Sequence, residues 1–164
     1  MKSVKYIVEN PKDALWGLSI TTVGYECYEV GDPYPSKEHN SGYYFNPEKG
    51  RTLQEYQLCY ITEGTGIFKS VSCPSFEIRS GMMFLLFPNE WHTYTPYKNS
   101  TWKQDWIGFK GINIDVRTEN GFLKKESPLF NVGINDSIVS AFKQAIDAAL
   151  NESPHFQILL AGIT

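Results

Sequence analysis

Histidine is scarce in this sequence: three of 164 residues, His39, His92 and His155. A catalytic metal centre gathers about three protein ligands, commonly histidines with a carboxylate. His155 falls in a helical stretch and His39 in a polar loop, which leaves His92 alone beside a strand, so no metal or other cofactor is expected. Cysteine is as rare. Cys27, Cys59 and Cys73 are odd in number and form no CxxC pair, which argues against a disulfide framework and a structural zinc site and reads as reduced thiols. A GxSxG nucleophile elbow and a glycine-rich phosphate loop before a helix are both missing. Gly64-Thr65-Gly66 reads instead as a hairpin turn that needs positive φ.

Long apolar runs are missing too. A membrane helix needs roughly 18 apolar residues, and the longest run here, Met82 to Pro88, is of strand length. The opening MKSVKYIVENPKD carries charges inside its apolar stretch and lacks a secretory signal pattern, so a cytoplasmic protein without a membrane partner is expected. Basic charge is not in excess: 15 Lys+Arg stand against 18 Asp+Glu, a net charge of −3. A basic nucleic-acid surface is therefore not the dominant feature of this chain. What the sequence does have is apolar and aromatic mass, 41% hydrophobic residues with ten Phe, ten Tyr and four Trp. That is too much for a disordered chain, and the length suits one domain of about 100–200 residues.

Over residues 1–133, Gly and Pro punctuate short β-branched and aromatic runs, a spacing that predicts an all-β sandwich or barrel. Strands are expected at Leu18–Tyr28, Gln57–Ile61, Gly66–Lys69, Ser75–Ile78, Met82–Phe87, His92–Tyr94 and Trp102–Phe109, with turns at 31–36, 46–50, 62–66, 79–81 and 88–90. After Gly133 the period changes. Asn135 or Asp136 caps a helix whose Ile138, Val139, Phe142, Ile146, Ala149 and Leu150 form one apolar stripe. Ser153, followed by Pro154, reads as the N-cap of a second helix that runs to the end of the chain. Two units are thus expected: 1–133, a barrel with an N-terminal arm, and 134–164, a helical segment that reads as cut short.

The densest chemistry lies at 90–109, EWHTYTPYKNSTWKQDWIGF. Alternate side chains of a strand share a face, so Trp102, Gln104 and Trp106 point one way and Lys103, Asp105 and Ile107 the other. Two indoles around an amide suit a small polyhydroxylated ligand, whose C–H faces pack on rings while its hydroxyls find hydrogen bonds. A filled aromatic core is the competing reading.

Three segments in order carry a resemblance: Tyr56-Gln57-Leu58-Cys59-Tyr60-Ile61-Thr62-Glu63-Gly64-Thr65-Gly66, then Gly81 to Tyr94, then Trp106-Ile107-Gly108-Phe109-Lys110-Gly111. Together they resemble the N-terminal cupin-like domain of the AraC/XylS class of bacterial transcription regulators, closely over residues 50–111 and loosely beyond. The resemblance implies a mainly β fold, a cupin-like double-stranded β-helix (jelly-roll barrel) followed by C-terminal α-helices. It also implies a small-molecule effector, most simply a carbohydrate, bound inside the barrel; a homodimer; and DNA contacts made only by a domain absent from this chain.

Metal-binding cupins carry histidines where this sequence has Leu58 and Tyr60, so the chain is expected not to be an enzyme. The arabinose-responsive member implies pocket roles for Arg51, Tyr94, Gln104 and Trp106, with Gln104 standing in place of a histidine. Trp102 and His92 complete the candidate ligand-binding set. Arg51 as a solvated loop charge, His92 as a structural histidine and Tyr94 as core packing are the alternatives. A metal-dependent cupin enzyme, such as a sugar isomerase or dioxygenase, and a structural module with a filled barrel are the rival functions. The amphipathic stripe near 137–150 serves either a dimer contact or the cover of the barrel.

Overall fold

Alternation of apolar and polar side chains along the early segments has its structural counterpart in an antiparallel barrel. The computed structural model describes residues 2–36, 39, 42–44 and 46–164. Among these the strands are β1 (Lys2–Tyr6), β2 (Ser19–Tyr28), β3 (Arg51–Thr52), β4 (Tyr56–Ser70), β5 (Phe76–Arg79), β6 (Met82–Leu86), β7 (Trp91–Pro96), β8 (Trp102–Lys110) and β9 (Leu129–Asn131). The helices are α1 (Ile112–Glu119), α2 (Asp136–Asn151) and α3 (Phe156–Ile163). The main sheet runs β1-β2-β8-β4-β6-β9, and the described pairings are antiparallel.

The strand β4 holds the barrel together. Its first part pairs with β6 and β8, and from Thr65 onward it pairs with β5 and β7. The hairpin expected at 62–66 is therefore not there: one strand of 15 residues passes straight through it. Gly64 does adopt positive φ, +100°, but in service of a bulge beside the register shift between Ile61 and Glu63. A Cβ there would fall 1.9 Å from the Thr101 carbonyl oxygen, so the glycine admits a close crossing of β4 past the start of β8. Turn and bulge need the same local chemistry, which is why the sequence does not separate them.

Side chains of one parity face the barrel interior, where Cys59, Ile61, Phe68, Phe84, Tyr94 and Trp102 form an apolar cluster. The other parity faces the helices, with Tyr56, Tyr60, Ile107 and Phe109 packed against Phe142, Ala145 and Ala149 of α2. The stripe of α2 is thus spent on covering the sheet. Asn135 caps this helix as expected, its Oδ1 accepting from the Ser137 amide at 2.9 Å and the Ile138 amide at 3.3 Å.

The start of α3 differs from expectation. Ser153 closes a turn, its carbonyl accepting from the Phe156 amide at 3.0 Å, and the helix begins at Phe156 after His155 in a left-handed conformation, φ +67°. Gln157 then fixes α3 to the barrel. Its Oε1 accepts from the Ile20 amide at 3.0 Å and its Nε2 donates to the Ile20 carbonyl at 2.8 Å. This occurs where β2 carries a bulge between Ile20 and Thr22, so the side-chain amide supplies what the ladder withholds. Four elements lie outside the expectations: a 3-10 helix at Asp13–Trp16, α1, the short β3 and the short β9. The expected N-terminal arm is largely β1, paired in full with β2.

Candidate ligand pocket

The interior parity of β2, β4 and β8 brings polar side chains into the apolar barrel. On β8 the expected face forms: Trp102, Gln104 and Trp106 are all buried. On β2 the same face carries Glu26, 1% exposed. The two strands pair in register, Glu26 opposite Gln104 and Gly24 opposite Trp106. Gly24 makes room for the indole, because a Cβ at this position would sit 2.2 Å from Cζ2 of Trp106. The sequence reads Gly24 as nothing in particular; only the pairing reveals its purpose.

Glu26 is the hub of a buried network. Its Oε2 accepts from the Tyr28 hydroxyl at 2.7 Å and from Gln104 Nε2 at 3.3 Å, and Gln104 Oε1 accepts from Trp102 Nε1 at 2.8 Å. Its Oε1 lies 3.1 Å from His39 Nε2 and 3.9 Å from Lys2 Nζ. His39 Nδ1 in turn meets the Tyr6 hydroxyl at 2.9 Å, so a tautomer protonated at Nε2 donates to the carboxylate and accepts from the tyrosine. Burial pushes the Glu26 carboxyl up, but the hydrogen bonds from His39 and Tyr28 and the electrostatic attraction of His39 and Lys2 outweigh it, and the net shift is downward; a His39 protonated on both nitrogens would donate to both Glu26 and the Tyr6 oxygen. The same carboxylate, with burial as the larger cause, drives the Tyr28 hydroxyl well above its ordinary value.

Arg51 enters from the other side. The short β3 pairs with β7, setting Arg51 opposite His92. Arg51 Nε donates to His92 Nε2 at 3.3 Å, Nη2 to the Tyr94 hydroxyl at 3.4 Å and Nη1 to the Tyr43 carbonyl. His92 Nδ1 lies 3.1 Å from the Glu90 carbonyl. Burial and the neighbouring guanidinium push His92 down to about 3, so it stays neutral and holds the arginine rather than presenting a charge.

Arg51, Tyr94, Gln104 and Trp106 line one cavity together with Glu26, Gln57, Tyr6, Tyr34, Pro35, His39 and Tyr43. Of the six residues expected from sequence, these four are brought together. Trp102 and His92 are fully buried behind them and touch the cavity only through Gln104 and Arg51. The solvated-loop alternative for Arg51 does not hold. The cavity leaves about 20 Å³ for the centres of water-sized molecules, room for one water. Sequence reasoning missed Glu26, Gln57, Tyr6, Tyr34, Pro35, His39 and Tyr43. The first three lie on strands, Glu26 and Gln57 at inward positions open to a parity argument, whereas the others lie in a segment without periodicity.

A family model described as the AraC-like ligand binding domain matches residues 30–163. The chain belongs to this family. Among curated proteins, it is 30% identical over 86 residues to the raffinose operon transcriptional regulatory protein RafR of Pediococcus pentosaceus, a match covering 51% of this chain and 31% of that protein. The match thus spans about a third of that relative's length.

Among solved structures, similarity extends to an RmlC-like cupin family protein with a double-stranded β-helix fold from Methanocaldococcus jannaschii (10% identity, TM-score 0.43, 71% of this chain and 86% of that one). It also extends to a cupin protein from Bacteroides fragilis (15% identity, TM-score 0.41, 67% and 86%). The mainly β, cupin-like fold with C-terminal helices expected of an AraC-like ligand binding domain is the fold described above. Among the described residues, no three His, Cys, Asp or Glu side chains gather to hold a metal, and no helix is long and apolar enough to cross a membrane.

Proposed function

We propose that this chain is the effector-sensing half of a cytoplasmic AraC-type transcription regulator, that its effector is a neutral carbohydrate, and that it performs no catalysis. The observation that carries the reading is the cavity wall: the Trp106 ring beside a buried polar row of Glu26, Gln104, Arg51 and Tyr94 in an otherwise apolar barrel. A ring face with several fixed donors and acceptors is what a sugar needs. Arg51 and Glu26 contribute one charge of each sign, so neither an anionic nor a cationic ligand finds an unopposed partner. The relative whose name refers to a raffinose operon agrees with a sugar effector.

In this reading, units 1–133 and 134–164 act together. A sugar that binds one arrangement of barrel and helices better than another shifts their populations, and a DNA-binding domain elsewhere in the full protein reads the shift. Entry of a sugar requires more room than the cavity now has, so its lining side chains must rearrange on binding. Exposed Leu150, Ile158 and Leu159 on α2 and α3 are the proposed dimer contacts, since the main stripe of α2 already covers the sheet.

Isothermal titration against L-arabinose, D-galactose, melibiose and raffinose tests the proposal. Saturable binding, lost in Trp106→Ala while the variant stays folded, is expected. An absence of binding across the panel overturns the carbohydrate reading. Stoichiometric iron, zinc or manganese in the purified protein would favour the rival metal-dependent enzyme.

A further inference from the structure

Glu26, Gln104, Arg51, Tyr94 and His39 each hold hydrogen-bond or ion-pair partners within the protein. Gln57 stands apart. It lines the same cavity and is only 3% exposed, yet its Oε1 is buried with no hydrogen-bond partner among the described residues. Its Nε2 donates one hydrogen bond, to Cys59 Sγ at 3.5 Å. The residues directly across from it offer no donor side chain, Gln57 being paired with Leu86 on β6 and Gly108 on β8, and the nearby indole and amide N–H groups of Trp106 and Gln104 are engaged by Thr22 and Glu26. Its inward-facing neighbours along β4 are Cys59 and Ile61, both in the interior apolar cluster. An apolar residue would satisfy this position better than an amide, because a buried acceptor without a donor is destabilising. An amide kept where packing asks for a hydrocarbon points to a partner that arrives from outside.

We propose that Gln57 is a specificity-determining residue of the pocket, its Oε1 accepting a hydrogen bond from one hydroxyl of the bound sugar and so selecting against sugars that lack it. The inference rests on the carbohydrate reading and sharpens it. Cys59 lies between the groups involved: it touches the Gln57 amide, and burial pushes its thiol up to about 12 against the opposing influence of Gln57, Arg51 and Tyr94. Gln57 lines the cavity from β4, with β8 between it and the strand that carries Glu26. A site that hydrogen-bonds a hydroxyl discriminates against its absence more sharply than an apolar wall does, because the polar group is otherwise left unpaired.

The test compares wild type with Gln57→Leu, and with Gln57→Met, which keeps the length of the side chain. Without sugar, both variants are expected to melt at the wild-type temperature or roughly 2–4 °C higher, since an unpaired buried acceptor is removed. In titrations with the four sugars named above, binding is expected to weaken about tenfold or more. For the sugar that binds, one of its monodeoxy derivatives is expected to lose affinity on wild type but not on Gln57→Leu, the signature of a shared contact. A melting temperature that falls in both variants assigns the amide a structural role and overturns the inference. So does unchanged sugar affinity in a folded variant, and that result leaves the carbohydrate reading intact. A wild-type chain that binds none of the four sugars overturns the carbohydrate reading and this inference with it.

Discussion

Adding one methyl group at Gly24 tests how the barrel builds its aromatic wall. Gly24 faces Trp106 directly across the β2–β8 ladder, and a Cβ would lie 2.2, 2.5 and 2.6 Å from three indole carbons. Ordinary carbon contacts need about 3.5–4.0 Å, so in Gly24→Ala either the ring slides by more than an ångström or the two strands part. Both neighbours are fully paired strands in the middle of the main sheet, which leaves the ring as the softer element. Overpacking of this kind costs about 1–3 kcal/mol, a fall in melting temperature of roughly 2–10 °C for a domain of this size. The displaced ring no longer lines the cavity as it does now, so affinity for the proposed sugar should fall about tenfold or more. Differential scanning calorimetry, near-ultraviolet circular dichroism and titration calorimetry read these three effects. Gly162→Ala, in α3 with nothing within 4 Å of the added carbon, serves as control and should gain stability by about 0.5–1 kcal/mol. A Gly24→Ala protein with unchanged melting, aromatic signal and affinity would refute the argument.

Asp105 sits on the helix-facing side of β8, 3% exposed, and burial raises its carboxyl to about 6 against the opposing charge of Lys143. The folded value lies above the ordinary 3.8, so this group's stabilising contribution is complete below about pH 4 and is lost as pH rises through about 6. Asp105→Asn should therefore stabilise the protein by roughly 1–3 kcal/mol at pH 8 and by little at pH 4, as urea melts at the two pH values would report. Gln157→Leu removes both hydrogen bonds to Ile20, leaving two buried backbone groups unpaired at about 1–3 kcal/mol each. Amide exchange of α3 should accelerate more than that of β4, and equal protection in the variant would sink the clamp argument. Asn135→Ala deletes the acceptor for two amides at the start of α2 and should cost about 1 kcal/mol by chemical denaturation, with no effect on sugar affinity.

Legibility followed periodicity. The strands at 19–28, 76–79, 82–86 and 102–110 announce themselves by alternation and bounding turns, and α2 by its stripe and its asparagine cap. The helix α1 does not: INIDVRTE is rich in β-branched residues and carries one buried side chain, Ile114, so neither propensity nor pattern marks it. Within the site, Gln104 and Trp106 were readable because they lie on a strand whose face the spacing defines. Arg51 and Tyr94 were readable through resemblance rather than spacing. His39 reads from sequence only as part of a polar loop, because a contact with Glu26 across the chain has no local signature.

The sequence by itself determined the class of architecture and the face of β8 that turns inward, because period and composition are local properties. Only the tertiary structure decided that β4 runs unbroken through a glycine pair, that Gly24 exists for Trp106, and that Glu26, Gln57 and His39 join Arg51 in one cavity. Those facts depend on which strands become neighbours and in what register, and register is set by the whole barrel closing at once rather than by any short stretch of chain.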